Sequence, residues 1–388
     1  MNFVGIITEY DPFHNGHAAQ LAAVRRAGAA CIAVCMSSGA VQRGGVPILP
    51  DSVRARAALE AGADLVIALP APYACATAEQ FAAAGVFLLG ALGCDTLAFG
   101  AETPEADRLM QAAQLLGEPA LQTELRQRLG TGMTYAAARA EAAEVLSPGM
   151  GALLRTPNNI LGIEYCKAIL SQNSPLRPMP LPRWGAAHGG EAGSHNGTPM
   201  ASASYLRALP MEAWAPFVPA PAMELYREAA ADGQLLDPAR WETALLALLR
   251  AVPPEQLAGV RGVSEGLEHR LAAAVREATS LEDLYTRLKT KRYPHARLRR
   301  LVLDAALDFP ADLPAPPYLL VLGARKQALS CLKNAALPAG TSLADLVRTG
   351  SDAARIGGLH SRAVDFSSLC REEIRPMGLA FTTKPVLL

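Results

Sequence analysis

Four short apolar runs, residues 3–7, 31–36, 64–69 and 95–99, alternate with alanine-rich stretches of helical character through the first part of the chain. Strand-sized runs separated by helix-sized spacers read as βαβ units, and repeated βαβ units build a doubly wound parallel sheet. The alternation therefore predicts the α/β class. In such a sheet ligands gather beyond the carboxyl ends of the strands, so residues 8–17, 37–45, 70–73 and 100–102 are the candidates for a site. After Pro210 the pattern turns helical, with proline-rich breaks at 216–221 and 310–317. This predicts a first domain over residues 1–210 and a separate, mostly helical C-terminal domain over 211–388.

The segment Asp11-Pro12-Phe13-His14-Asn15-Gly16-His17-Ala18 follows the first apolar run directly. A strand that passes through such a loop into a helix presents free backbone N–H groups and a positive helix end at one spot, which suits a phosphate. His14 and His17 fall on the same side of the first helical turn, where both can donate to phosphate oxygens. Gly16 has no Cβ, so a flat base or ribose can approach the backbone. A histidine pair is also half of a zinc site, but zinc needs two more ligands, and no cysteine or histidine lies nearby at ligand spacing. Nucleotide binding is the expectation, and no metal site is predicted.

Lys+Arg and Asp+Glu both number 36, so no overall basic field advertises a nucleic acid. Any such partner must be met locally. The dense basic segment is 287–300, with Arg287, Lys289, Lys291, Arg292, Arg297, Arg299 and Arg300 around Tyr293 and no acidic residue. It is either a solvated helix face or a footprint for an RNA backbone. Ser202, Ser204 and Arg207 likewise allow two readings, a plain helix cap or a second grip on phosphate. Residues 178–199, rich in Pro, Gly and His, predict a long loop. The most apolar stretch, 81–94, is too short to span a membrane. The start of the chain has no basic n-region, and seven cysteines without a C-x-x-C suit reduced thiols, which together predict a cytoplasmic protein.

The H-x-G-H arrangement His14 to His17 resembles the signature of the nucleotidyltransferase superfamily that includes the class I aminoacyl-tRNA synthetases. More specifically, Gly5-Ile6-Ile7-Thr8-Glu9-Tyr10-Asp11-Pro12-Phe13-His14-Asn15-Gly16-His17 is similar to the opening of the bacterial tRNA(Met) cytidine acetate ligases. Val41-Gln42-Arg43-Gly44, Phe99-Gly100-Ala101-Glu102, Pro157-Asn158-Asn159-Ile160-Leu161-Gly162-Ile163-Glu164-Tyr165, Glu265-Gly266-Leu267-Glu268 and Lys291-Arg292-Tyr293 resemble later blocks of that family in the same order.

The resemblance implies a Rossmann-like nucleotidyltransferase core and an enzyme that activates acetate with ATP as acetyl-adenylate. The acetyl group then passes to N4 of the wobble cytidine of elongator tRNA(Met), without coenzyme A and with Mg2+ on the triphosphate. It implies His14 and His17 as catalytic residues. ATP contacts are expected from Ile7, Thr8, Glu9, Tyr10, Asp11, Pro12, Phe13, His14, Asn15, Gly16, His17, Ala18, Ala19 and Gln20. Gly100, Asn158, Asn159, Arg183 and Trp184 are expected to join them, and tRNA is expected on Lys289, Lys291, Arg292, Arg297, Arg299 and Arg300. Glu9 either takes the proton from the cytidine amine or pairs locally.

The chain departs from the family at Asp11, where Asn is usual, and at Ala101, where Ser is. Asp51 precedes Ser52-Val53-Arg54 in a block where a lysine or aromatic generally precedes an arginine, which predicts a weaker hold on pyrophosphate or tRNA. An adenylyltransferase for a small phosphorylated acceptor and a non-catalytic tRNA-binding protein are the competing readings.

Overall fold

The computed structural model describes residues 2–183, 192–264, 266–290 and 293–388. Trp184, Glu265, Lys291 and Arg292 therefore lie outside the described residues. Each predicted run is a strand: β1 Phe3–Thr8, β2 Cys31–Ser37, β3 Leu65–Leu69 and β4 Thr96–Ala101. They are followed by β5 Arg177–Pro182, a small hairpin of β6 Gly193–His195 and β7 Thr198–Met200, then β8 Leu319–Ala324, β9 Ala339–Gly340 and β10 Val386–Leu387. The main sheet runs β10-β8-β3-β2-β1-β4-β5, with β9 beside β8. β1 is parallel to both β2 and β4, in register from Phe3 opposite Cys31 to Thr8 opposite Met36.

These strands read as nearly continuous apolar runs because both faces of the sheet are covered. Val4 and Ile6 pack with Leu21 and Val24 of the helix Asn15–Arg26. Ile7 packs on the other face with Leu88 and Leu89 of the helix Ala78–Leu92. That second helix lies close on the sheet. A Cβ on Gly5 would sit 2.6 Å from Leu89 Cδ1, and one on Gly85 would sit 2.6 Å from Ile7 Cδ1.

Two parts of the sequence reading change. Residues 178–182, expected as loop, form the edge strand β5, with Pro178, Pro180 and Pro182 in it. Proline cannot donate to a ladder, so such a strand survives only where one side is unpaired. The main sheet also takes β8 and β10 from the half read as helical, β8 running antiparallel to β3. The rest of that half is mostly helices, including Pro238–Ala251, Leu281–Leu288, His295–Ala306 and Ser351–Leu369.

The candidate stretch 70–73 is sealed under this half. The Tyr73 hydroxyl donates to Pro314 O at 2.6 Å, and Arg261 binds Asp304 at 2.6 Å while donating to Pro72 O. The apolar stretch at 81–94 falls mostly in the buried helix Ala78–Leu92. Among the described residues no helix is long and apolar enough to cross a membrane.

Candidate nucleotide site

Strand order reverses between β1 and β4, and a crevice opens there beyond their carboxyl ends. A cavity of about 310 Å³ occupies it. Of the residues expected to contact ATP, Glu9, His14, Gly16, His17, Gln20, Gly100, Asn158 and Arg183 line this cavity. Ser202, Ser204 and Arg207 line it too, so the segment after the hairpin β6–β7 closes one side. Ser202 also caps its helix, accepting from Tyr205 N at 3.2 Å. Its hydroxyl thus caps the helix and faces the cavity at once.

The two histidines hold each other through the backbone. Gly16 N donates to His14 Nδ1 at 3.1 Å, and His14 N donates to His17 Nδ1 at 3.3 Å. An imidazole whose Nδ1 accepts a hydrogen bond carries its proton on Nε2. Each ring is thus a neutral Nε2–H donor. The rings stack with centroids 3.7 Å apart. Burial, aided by Arg183 and Arg207, pulls His14 down to about 3, and burial with His14 and Arg183 holds His17 well below 6.5.

The first turn differs from expectation in two respects. Its amides are not free: Asn15 N donates to Phe217 O at 2.8 Å, Gly16 N to His14 Nδ1, and His17 N and Ala18 N to His14 O. With these amides spent, the donors left at this helix start are the imidazole Nε2–H groups. The space over Gly16 is likewise taken by the His14 ring, whose Cε1 would lie 2.9 Å from a Cβ there.

The other described residues expected to contact ATP stand outside this lining. Ile7, Tyr10 and Phe13 are core residues, and Pro12 is buried. Thr8 ends β1, and Ala18 packs against the core. Ala19 is a half-buried residue of the same helix. Asn15 Nδ2 donates to Pro199 O and Pro216 O. Asn159 is 1% exposed, and both ends of its amide are spent on Thr103, so it stands outside the cavity lining. Its neighbour Asn158 does line the cavity and donates to Glu102 Oε1 at 2.6 Å. Burial would raise the Glu102 carboxyl, but the Asn158 side chain and the amides of Asn158 and Asn159 outweigh it and keep Glu102 charged. Arg183 lies 3.7 Å from Glu102 and is aimed by it.

A second layer supports the first. Asp11 is 1% exposed; it accepts from Ile48 N at 2.7 Å and from Arg43, while Arg207 donates to its backbone oxygen at 2.5 Å. Glu9 pairs locally, accepting from Gln42 N at 2.6 Å and Arg43 at 2.9 Å. Asp51 is placed away from the cavity lining, with its carboxylate on Ser38 and Arg54. Ala101 is buried at the end of β4.

The basic segment is partly absorbed by the fold. Arg287 pairs with Asp283 at 2.8 Å and with Glu277. Arg297 lies over the Tyr293 ring at 4.6 Å and donates to Ser264 Oγ. Arg300 donates to Gln42 O at 3.4 Å. Lys289 and Arg299 instead line a second cavity, of about 1020 Å³, that shares Arg207 with the first.

The loop carrying Arg43 closes on itself, Val41 N donating to Gly45 O, and seats against the helix His295–Ala306. Gly44 makes that contact possible. Its φ is +82°, and a Cβ there would lie 2.5 Å from Arg300 N, a backbone atom that cannot swing aside. Gly44→Ala is expected to cost about 1–2 kcal/mol for the left-handed backbone alone. Urea unfolding checks it; an unchanged midpoint would show that the loop is not clamped there.

Among the described residues no group of three or more His, Cys, Asp or Glu side chains converges to hold a metal ion. The cavity-lining positions that the sequence reading does not single out are Leu181 and Pro182 on β5, with Ala201 and Ala203 beside the serines. Their signal is hidden by the proline-rich run.

Comparison with known proteins agrees with this geometry. The profile of the HIGH Nucleotidyl Transferase family matches residues 1–372. The tRNA(Met) cytidine acetate ligase of Syntrophotalea carbinolica is 36% identical over 359 residues, covering 88% of this chain and 85% of that protein. The ligase of the same name from Levilactobacillus brevis is 37% identical over 345 residues, covering 86% and 87%. The crystal structure of Thermotoga maritima TmcAL bound with alpha-thio ATP superposes over 100% of both chains, with a TM-score of 0.91 at 25% identity. Sequence, fold and the histidine-lined crevice thus converge, and the chain belongs to the HIGH nucleotidyltransferases and, among them, to the tRNA(Met) cytidine acetate ligase family.

Proposed function

We propose that this protein activates acetate with ATP and transfers the acetyl group to N4 of the wobble cytidine of elongator tRNA(Met). The pair of neutral Nε2–H donors at His14 and His17, set beside Arg183 and Arg207 at the strand reversal, carries the reading. In the first step an acetate oxygen bonds to the α-phosphorus and the bond to pyrophosphate breaks. Charge builds on the phosphoryl oxygens, so fixed donors aimed there lower the barrier without reorganising. His14 and His17 serve those oxygens, and Arg183 and Arg207 meet the departing phosphates. Asn158 offers a donor and an acceptor to the nucleoside.

Glu9 and Glu102 are both committed to protein donors, which fits Mg2+ arriving on the triphosphate rather than on a carboxylate cage. When bound it would neutralise phosphate charge. In the second step N4 bonds to the acetyl carbon, AMP leaves, and the amine proton passes to solvent or to the departing phosphate. Coenzyme A has no part in this route. Substrates of this kind and the free cysteines point to the cytoplasm as the place of action.

Mass spectrometry of tRNA after incubation with ATP and isotopically labelled acetate tests the reading. A labelled acetylcytidine at the wobble position supports it. Pyrophosphate exchange that depends on a phosphorylated small molecule instead of acetate would overturn it.

Affinity for tRNA is expected to fall with salt. Lys289→Ala with Arg299→Ala should make the log–log slope shallower by about one unit, or somewhat less, for each RNA phosphate that is no longer neutralised. Filter binding at several ionic strengths measures it, and an unchanged slope would remove both residues from the RNA surface.

A further inference from the structure

We propose that the second cavity, between loop 41–45 and the helices Pro238–Ala251, Leu281–Leu288 and His295–Ala306, receives the unpaired acceptor nucleotide of the RNA. Its base lies against Tyr285 and Trp241, and the adjoining phosphates meet Lys289 and Arg299. The assignment rests on the ligase reading and extends it to the site of the second substrate.

Acyl transfer requires the cytidine amine to reach the acetyl group, yet about 310 Å³ in the first cavity is space for one nucleotide-class ligand. The acceptor needs a volume of its own next to it. The second cavity supplies about 1020 Å³ and is separated from the first by a single layer of side chains: Arg207 lines both, and Arg43 on one side binds Glu9 on the other at 2.9 Å.

The lining also has the right chemistry. Tyr285 and Trp241 are half-buried, so each ring is held by packing and still presents surface. Trp241 is braced by Phe366, with ring centroids 5.5 Å apart. Lys289 and Arg299 are exposed and have no ion pair among the described residues, whereas Arg287 on the neighbouring turn is neutralised by Asp283 and Glu277. One carboxylate, Glu282, also faces the cavity. Aromatic faces with adjacent cations are how proteins hold splayed single-stranded bases, whereas an A-form duplex is contacted over its backbone and minor groove. A cleft of this size takes one or a few unstacked nucleotides.

The test uses the full chain and an anticodon stem-loop RNA carrying 5-iodocytidine at the wobble position. Irradiation should cross-link that base to the peptide containing Tyr285 or Trp241. Tyr285→Ala should raise the KM for unmodified stem-loop at least about fivefold, and Tyr285→Phe, which keeps the ring, should restore it. A cross-link confined to other peptides, or an unchanged KM in Tyr285→Ala, would overturn the assignment. Acetate-dependent pyrophosphate exchange by the unaltered chain judges the ligase reading separately. Failure of that reading and failure of this subsite therefore appear in different measurements.

Discussion

His17→Ala is expected to slow acetate-dependent ATP–pyrophosphate exchange by about 10²–10³-fold, the usual cost of removing one aligned donor to developing oxyanion charge. The same change also breaks the reciprocal cap, because His17 Nδ1 accepts from His14 N and the two rings stack. His14 then loses the neighbour that fixes its plane, so the double variant should be little slower than either single one. Additive losses would mean that the rings act independently.

The pair also makes a claim about pH. Burial first, and the nearby arginines second, hold His14 at about 3, and His17 is held well below its ordinary value. Both remain neutral donors across neutral pH, so exchange should show no inflection where a free imidazole titrates, near about 6.5. Stability follows from the same refusal to protonate. Below about 6.5 the unfolded chain takes up protons that the folded imidazoles exclude, so stability falls as pH drops from there toward 3. Exchange that falls as pH rises through about 6.5 would show that one ring works as a cation.

Asp11→Ala is expected to cost about 3 kcal/mol of unfolding free energy, the low end for stripping one partner from a buried ion pair. The low end applies because Arg43 keeps Glu9 and its side chain is 28% exposed. Burial by itself would raise the Asp11 carboxyl, but Arg43, Arg54, Arg207 and the Ile48 amide more than offset this and hold it below the ordinary carboxylate value. A depressed carboxyl stabilises the fold fully above its unfolded value of about 3.9, and this contribution is lost as pH falls through the lower folded value. Asp11→Asn keeps an oxygen for the Ile48 amide and should lose less than the alanine variant. Urea denaturation at neutral pH separates them. Equal losses would show that charge at position 11 is not what anchors Arg43.

Strand identity is legible in the chain because fully buried parallel strands must be apolar on both faces, and residues 3–7, 31–36, 64–69 and 95–99 are. Prolines erase that signal for β5, although an edge position tolerates them. β8 escapes the sequence reading although Leu319, Leu320 and Val321 follow a proline-rich break, because its surroundings read as helical.

The histidine pair, Gly100, Asn158 and Arg183 can be named from local motifs, since a short motif fixes which groups can donate. Which groups remain available is a matter of partners distant in sequence. Asn159 is consumed by Thr103 and the first-turn amide of Asn15 by Phe217, and one Arg300 N–H goes to Gln42 O. Hydrogen-bonding capacity is set by residue type, and its use by what the fold brings within about 3 Å. The α/β sheet and the identity of the crevice donors thus follow from local pattern and residue type. Which imidazole nitrogen carries the proton is local too, set by the amides of His14 and Gly16, whereas long-range packing alone buries the two rings beside Arg183 and Arg207 and makes Arg207 the common wall of two cavities, because those side chains come from remote parts of the chain.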